Sequence, residues 1–176
     1  VLEAIDMAAV ASTPTPEEWA RTPAAAALLD RCAARAGFPA DRIPAAARML
    51  HGSLRCPVRL GDLALERGFS SVGRSIAEME FLYPIPEAWH GSPAAGAIAH
   101  SVGRGMVRGF VDLAFEHLGR TYILDWKSDV LPSWDAAEVE RHVAANYSIQ
   151  AAVYTLALAR MLGVGSASDV AGRMGG

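Results

Sequence analysis

Cysteine is nearly absent from this sequence. Cys32 and Cys56 are its only two in 176 residues. Two widely separated thiols make neither a disulfide framework nor a zinc site, and they read as reduced cysteines of a cytoplasmic chain with no assigned role. Long apolar runs are missing as well. Nothing approaches the roughly 20 uninterrupted residues of a spanning helix, and the first residues lack the basic, apolar and small-residue order of a signal peptide, so the reading includes no membrane. Nor is there a basic excess: 16 Lys and Arg stand against 19 Asp and Glu, a formal charge of -3. A self-sufficient nucleic-acid binder usually carries a basic footprint, because phosphate contacts dominate its affinity. Leucine heptads and internal repeats are absent too, which argues against coiled coils and solenoids.

What is present is a globular composition. With 52% hydrophobic and 20% charged residues, the chain suits one domain with a real core. Its most informative stretch runs from Gly109 to Ser128. Arg108 to Phe115 and Thr121 to Lys127 are rich in β-branched and aromatic residues, and Glu116 to Arg120 between them holds the glycine a hairpin turn prefers. Alternation along a strand puts Asp125 and Lys127 on one face, with Leu124 and Trp126 on the other.

Asp112 stands inside the apolar run Phe110 to Phe115, and Asp125 follows Tyr122-Ile123-Leu124. A carboxylate in such a run is costly to bury unless it is paired or bound to a cation. Two acids on adjacent strands, with an amine two residues past the second, could hold a hard divalent cation and set the amine beside its water. A lone strand aspartate more often just meets an arginine or ends a strand; the Asp…Asp-x-Lys set on one hairpin is harder to explain that way.

Gly109-Phe110-Val111-Asp112-Leu113 followed by Leu124-Asp125-Trp126-Lys127-Ser128 resembles the nuclease core of the RecB family within the PD-(D/E)xK superfamily. Glu78-Met79-Glu80-Phe81 before Tyr83-Pro84 resembles the preceding strand, and Val102 to Arg108 the lead-in to the core. Tyr147 to Leu156 resembles the helix carrying the family's Gln-x-x-x-Tyr motif, here Gln150 and Tyr154. The likeness covers the second half well and the first half loosely. It implies an α/β fold with a restriction-endonuclease-like core, a mixed central sheet flanked by helices, preceded by a helical segment. Residues 1–74 would be that mainly helical part and residues 75–176 the nuclease core, with its last strand missing.

The same resemblance implies a metal site of Asp112, Asp125 and the backbone carbonyl of Trp126, holding Mg2+, with Mn2+ or Ca2+ as substitutes. Lys127 would orient or deprotonate the attacking water. Many nucleases of this superfamily add a glutamate before the hairpin, which makes Glu80 a candidate; alternation puts it on one face with Glu78, and a solvated strand face accounts for it about as well. Tyr147, Gln150 and Tyr154 recur on one helical stripe, and the resemblance has them contact DNA phosphates and support Lys127. The family's metal-binding histidine would fall just before Val1, and the Gly175-Gly176 pair would lead into a further strand, so the chain reads as trimmed at both ends.

Three functional readings compete. The first is a Mg2+-dependent DNA exonuclease and endonuclease domain of a RecBCD-type helicase-nuclease, processing double-strand breaks for recombinational repair. DNA ends and single strands would be its substrates and RecC-like and RecD-like subunits its partners, which would supply the grip that the acidic balance does not. The second is a stand-alone exonuclease of the same superfamily, disfavoured by that balance. The third is a degenerate nuclease fold with a structural or DNA-guiding role, disfavoured by the presence of both acids and the lysine. Whatever the parent does, the fragment alone can be inactive.

Along the rest of the chain, Val1 to Val10 has helical spacing without a preceding cap and reads as the tail of a helix. Ser12 to Pro16 is a linker, with Thr13 or Thr15 capping a helix that opens on Glu17-Glu18-Trp19. Ala24 to Ala36 reads as helix closed by Gly37, and Asp41 to His51 as another that tolerates Pro44 in its first turn. Leu28, Leu29, Ala33, Met49 and Leu50 are core candidates. Cys56 to Phe69 is ambiguous between a short strand and a loop, and Ser75 to Pro84 reads as a strand. Pro84 to Gly105 reads as a loop, carrying His90 and His100. His51, His117 and His142 get no functional role. A helix begins at Asp135 and either breaks before Asn146 or continues to Leu162.

Overall fold

The computed structural model describes residues 1–84 and 105–175. The expected loop with His90 and His100 therefore lies outside the described residues. The fold is mixed α/β, with seven α-helices and two sheets among the described residues, one two-stranded and one of order β3-β4-β5. None of the described helices is long and apolar enough to cross a membrane. The chain divides into two compact units: Val1–Ala77 with Phe115–Tyr122 and Gly175, and Glu78–Ala114 with Ile123–Met174.

The first unit is built on four helices, α1 (Met7–Ser12), α2 (Pro16–Arg21), α3 (Pro23–Ala36) and α4 (Ile43–Arg55). The segment expected as one helical tail is instead a 3-10 turn, Leu2–Ala4, followed by α1. Ile5 turns extended between them and Asp6 caps α1, its Oδ1 accepting the amides of Ala8 and Ala9 at 2.9 and 3.3 Å. An aspartate that can accept two orphan amides favours a fresh helix start over continuation. Of the two threonines, Thr15 makes the capping box with Glu18, and Pro16 follows at the first helical position. Gly37 closes α3 in the left-handed conformation.

Trp19, Val10 and Leu54 are almost wholly enclosed, and Leu28, Leu29, Ala33 and Leu50 join them. Each buried aliphatic side chain stabilises the fold by about 2 kcal/mol. Met49 does not join: it is 67% exposed, because neighbours on a helix point about 100° apart and Leu50 already faces the core. His51 is buried rather than a surface residue. Its Nε2 lies 3.1 Å from the Thr13 carbonyl, which can only accept, so that nitrogen carries the proton. Arg55 donates to the carbonyls of Val10 and Thr13, satisfying the end of α1. The ambiguous stretch after Cys56 is an antiparallel hairpin, β1 (Val58–Leu60) and β2 (Leu63–Leu65), pairing Val58 with Leu65 and Leu60 with Leu63 around Gly61-Asp62.

The larger sheet consists of β3 (Arg74–Pro84), β4 (Met106–His117) and β5 (Arg120–Leu124). Leu118 and Gly119, both at positive φ, form the two-residue loop of the β4–β5 hairpin, a conformation whose twist matches that of the strands. In the second unit, Met79, Val111 and Ala114 form a core against which Phe81, Ile123 and Tyr154 pack. Gly109 leaves room for the Phe81 ring: a Cβ there would stand 2.5 Å from Phe81 Cζ. After the sheet come α5 (Ala136–Asn146), α6 (Ser148–Met161) and α7 (Ala167–Arg173). Of the two readings left open for the helix after Asp135, the break is the one observed, at Tyr147.

Candidate active site

Asp112 lies on β4 between buried Val111 and Leu113. Its Oδ2 accepts the main-chain amide of Trp126 at 2.6 Å. The expected second strand is shorter than its sequence pattern: β5 stops at Leu124, so Asp125, Trp126 and Lys127 are carried on the chain leaving the sheet. Asp125 and Lys127 nevertheless meet on one side, as an ion pair.

Gln150, on α6, joins the two. Its Oε1 accepts from Lys127 Nζ at 2.7 Å, and its Nε2 donates to Asp125 Oδ1 at 3.2 Å and to the Tyr154 hydroxyl at 2.8 Å. The amide has one acceptor end and one donor end, and only this orientation gives the cation an oxygen and the carboxylate an N–H. Tyr154 comes one turn after Gln150, as the helical stripe predicts. Burial raises its phenol pKa, and the charge on Asp125 adds to that. Its ring meets Phe81 edge-on with centroids 5.6 Å apart, which ties the helix to the sheet.

Tyr147 occupies the break between α5 and α6. Lys127 Nζ stands 4.4 Å from the centre of its ring, and its hydroxyl donates to Asp129 Oδ2 at 2.6 Å. That bond raises the Tyr147 pKa and is the main cause holding Asp129 below the ordinary carboxylate range.

Glu80 is placed elsewhere. It points away from the core and pairs with Arg108 Nε at 2.5 Å. Glu78 is the glutamate that approaches: one of its carboxylate oxygens lies within 4.8 Å of one of Asp112. The two were expected on one face, but Glu78 has φ 51°, a left-handed residue inside β3, where strand alternation gives no guide to the side chain. Besides Glu78, sequence reasoning passed over Asp129 and His142. Asp129 follows Lys127 by two residues and could have been weighed as a continuation of its face; Glu78 was marked only as sharing a strand face with Glu80, and His142 carries no pattern that marks it.

The donor set suits a hard divalent cation. Glu78 and Asp112 bring carboxylate oxygens close together, and Asp125 Oδ2 is buried with the Lys127 ammonium as its ion-pair partner. Oxygen ligands of this kind are what Mg2+, Mn2+ and Ca2+ take.

Residues 1–175 match the sequence profile of the PD-(D/E)XK nuclease superfamily. The RecBCD enzyme subunit RecB of Escherichia coli strain K12 is 33% identical over 144 residues, which cover 72% of this chain and 12% of that protein. The RecBCD enzyme subunit RecB of Haemophilus influenzae is 42% identical over 64 residues, 34% of this chain and 5% of the relative. The chain thus spans a small fraction of the length of the curated relatives it matches.

Proposed function

This chain belongs to the PD-(D/E)XK nuclease superfamily, and from that premise we propose that it is the Mg2+-dependent DNase domain of a RecBCD-type helicase-nuclease that processes double-strand breaks for recombinational repair. The observation that carries the reading is Gln150 linking the second acid to the lysine, with Asp112 fixed to the backbone between them. Asp112, Asp125, Glu78 and the Trp126 carbonyl would hold the ion, which when bound polarises the scissile phosphate and lowers the pKa of water.

The protein's own groups do the rest. Gln150 and Asp125 fix the Lys127 ammonium, which donates a hydrogen bond to the attacking water and offsets charge that accumulates on the phosphate oxygens in the transition state. Tyr154 accepts from the donor end of Gln150, while the Asp125 carboxylate, which can only accept, and the Lys127 ammonium, which can only donate, keep the amide in this orientation. DNA ends and the single strands unwound from them are the substrates of this reading. RecC-like and RecD-like subunits and a helicase supply the grip on DNA, which accounts for a net charge of -3 on a nuclease domain. A cytoplasmic location goes with that assembly.

The test is calorimetric titration of the full-length parent with Mg2+, followed by cleavage of linear duplex DNA. Lys127→Ala is expected to bind the ion and cut nothing, whereas Asp112→Ala and Asp125→Ala lose both. Cleavage retained by Lys127→Ala sinks the assignment of the lysine. A parent that binds no divalent ion and cuts nothing favours the degenerate-module reading.

A further inference from the structure

The sequence resemblance assigns the motif tyrosines to DNA phosphates, but Tyr147 is turned to another task. It belongs to neither α5 nor α6, with φ -123° and ψ 0°. From that break it presents a ring face, rather than its hydroxyl, to Lys127 at 4.4 Å. The hydroxyl is spent on Asp129 Oδ2 at 2.6 Å. Asp129 Oδ1 lies in turn 3.3 Å from His142 Nε2 on α5, and the His142 and Tyr147 rings meet edge to face with centroids 5.8 Å apart. A hydroxyl held by a carboxylate is a poor receptor for phosphate, because the approaching anion meets a like charge.

A lysine has four rotatable bonds and a single point charge, so catalysis by its ammonium depends on what confines it. Gln150 and Asp125 confine Lys127 with an amide oxygen and a carboxylate; the Tyr147 ring adds a third contact, of the kind in which a cation rests against the negative face of an aromatic. We propose that Tyr147, Asp129 and His142 form a positioning unit for Lys127, in which the ring is the ammonium's floor, Asp129 fixes the ring's rotation and His142 steadies Asp129. The unit rests on the nuclease reading and adds to it residues that act on the reaction through Lys127 without touching substrate.

The test is steady-state cleavage of linear duplex DNA by the full-length parent, with kcat and KM separated. Tyr147→Leu removes the floor and is expected to lower kcat about tenfold with KM unchanged. Tyr147→Phe keeps the ring and recovers most of that loss. Asp129→Ala matches Tyr147→Phe, and the double variant is no worse than either, since both break one hydrogen bond. His142→Ala shifts kcat in the same direction and adds nothing to Asp129→Ala. A KM rise with kcat intact in Tyr147→Phe would overturn the proposal in favour of phosphate contact, and additive losses in the double variant would overturn the shared tether. Wild-type kcat in Tyr147→Leu, with Lys127→Ala dead, would remove the unit and leave the nuclease intact; cleavage by Lys127→Ala removes the lysine's role and the unit with it, and only a wild-type parent that cuts nothing removes the nuclease reading.

Discussion

The main-chain amide of Trp126 donates to Asp112 Oδ2 at 2.6 Å, so the first acid of the site is aimed by the backbone of the residue that separates the second acid from the lysine. One hydrogen bond thereby couples the strand β4 to the segment after β5. Its removal has two separable effects. Asp112→Ala leaves the amide without this acceptor and is expected to cost about 1–2 kcal/mol of stability besides the loss of metal binding. Asp112→Asn retains an acceptor oxygen, so metal affinity falls while the urea midpoint moves less. Equal midpoints for the two variants would show that the bond has no energetic weight.

The two glutamates of β3 are distinguished by where their carboxylates end. Glu78→Gln, beside Asp112, is expected to weaken Mg2+ binding and lower the cleavage rate of the parent at least tenfold, or about 1.4 kcal/mol. Glu80→Gln breaks only an exposed pair with Arg108, worth about 0–1 kcal/mol, and is expected to leave cleavage near wild type. Titration calorimetry and cleavage rates of the pair decide between them; the reverse ranking would return Glu80 to the site.

Gly109 is a packing requirement. Its absent Cβ would fall 2.5 Å from Phe81 Cζ and 2.9 Å from Cε1, and Phe81 is itself held between Tyr83 and Tyr154. Gly109→Val is expected to destabilise by about 1–3 kcal/mol through overpacking. The check is a lower urea midpoint at an unchanged slope, together with slower cleavage as Tyr154 is displaced from Gln150.

The Tyr147–Asp129 bond makes stability depend on pH at both extremes. A lowered Asp129 pKa means that the bond favours the folded state above the ordinary carboxylate range. That contribution is lost as pH falls through the lowered value. A raised Tyr147 pKa means that the contribution is complete below the ordinary phenol range and is lost as pH rises through the raised value. Tyr147→Phe should bring the Asp129 carboxyl most of the way back to its ordinary value, read by an NMR titration of that carboxyl. No movement would place the cause elsewhere.

Much of this arrangement was legible because local rules and tertiary demands agree. Alternation and the glycine of Leu118-Gly119 mark the hairpin, Thr15 and Glu18 mark a helix start, and the three- and four-residue recurrence of Tyr147, Gln150 and Tyr154 brings the last two into contact. What escaped was set by single residues departing from their surroundings. Asp6 restarts a helix that apolar spacing alone would continue, and Met49 has the right chemistry for the core but the wrong angle on α4. His142 meets Asp129 from α5, and Tyr147 reaches it from the break after that helix; no periodicity encodes either approach.

The left-handed conformation of Glu78 has a consequence beyond the metal site. A side chain there strains the backbone by about 1 kcal/mol or more, and glycine would relieve it. Glu78→Gly is therefore the rare substitution expected to raise the melting temperature while silencing the enzyme. Natural drift would follow the same gradient once cutting ceased to matter. On this reading glycine is the stable choice at this point of the strand and glutamate the working one.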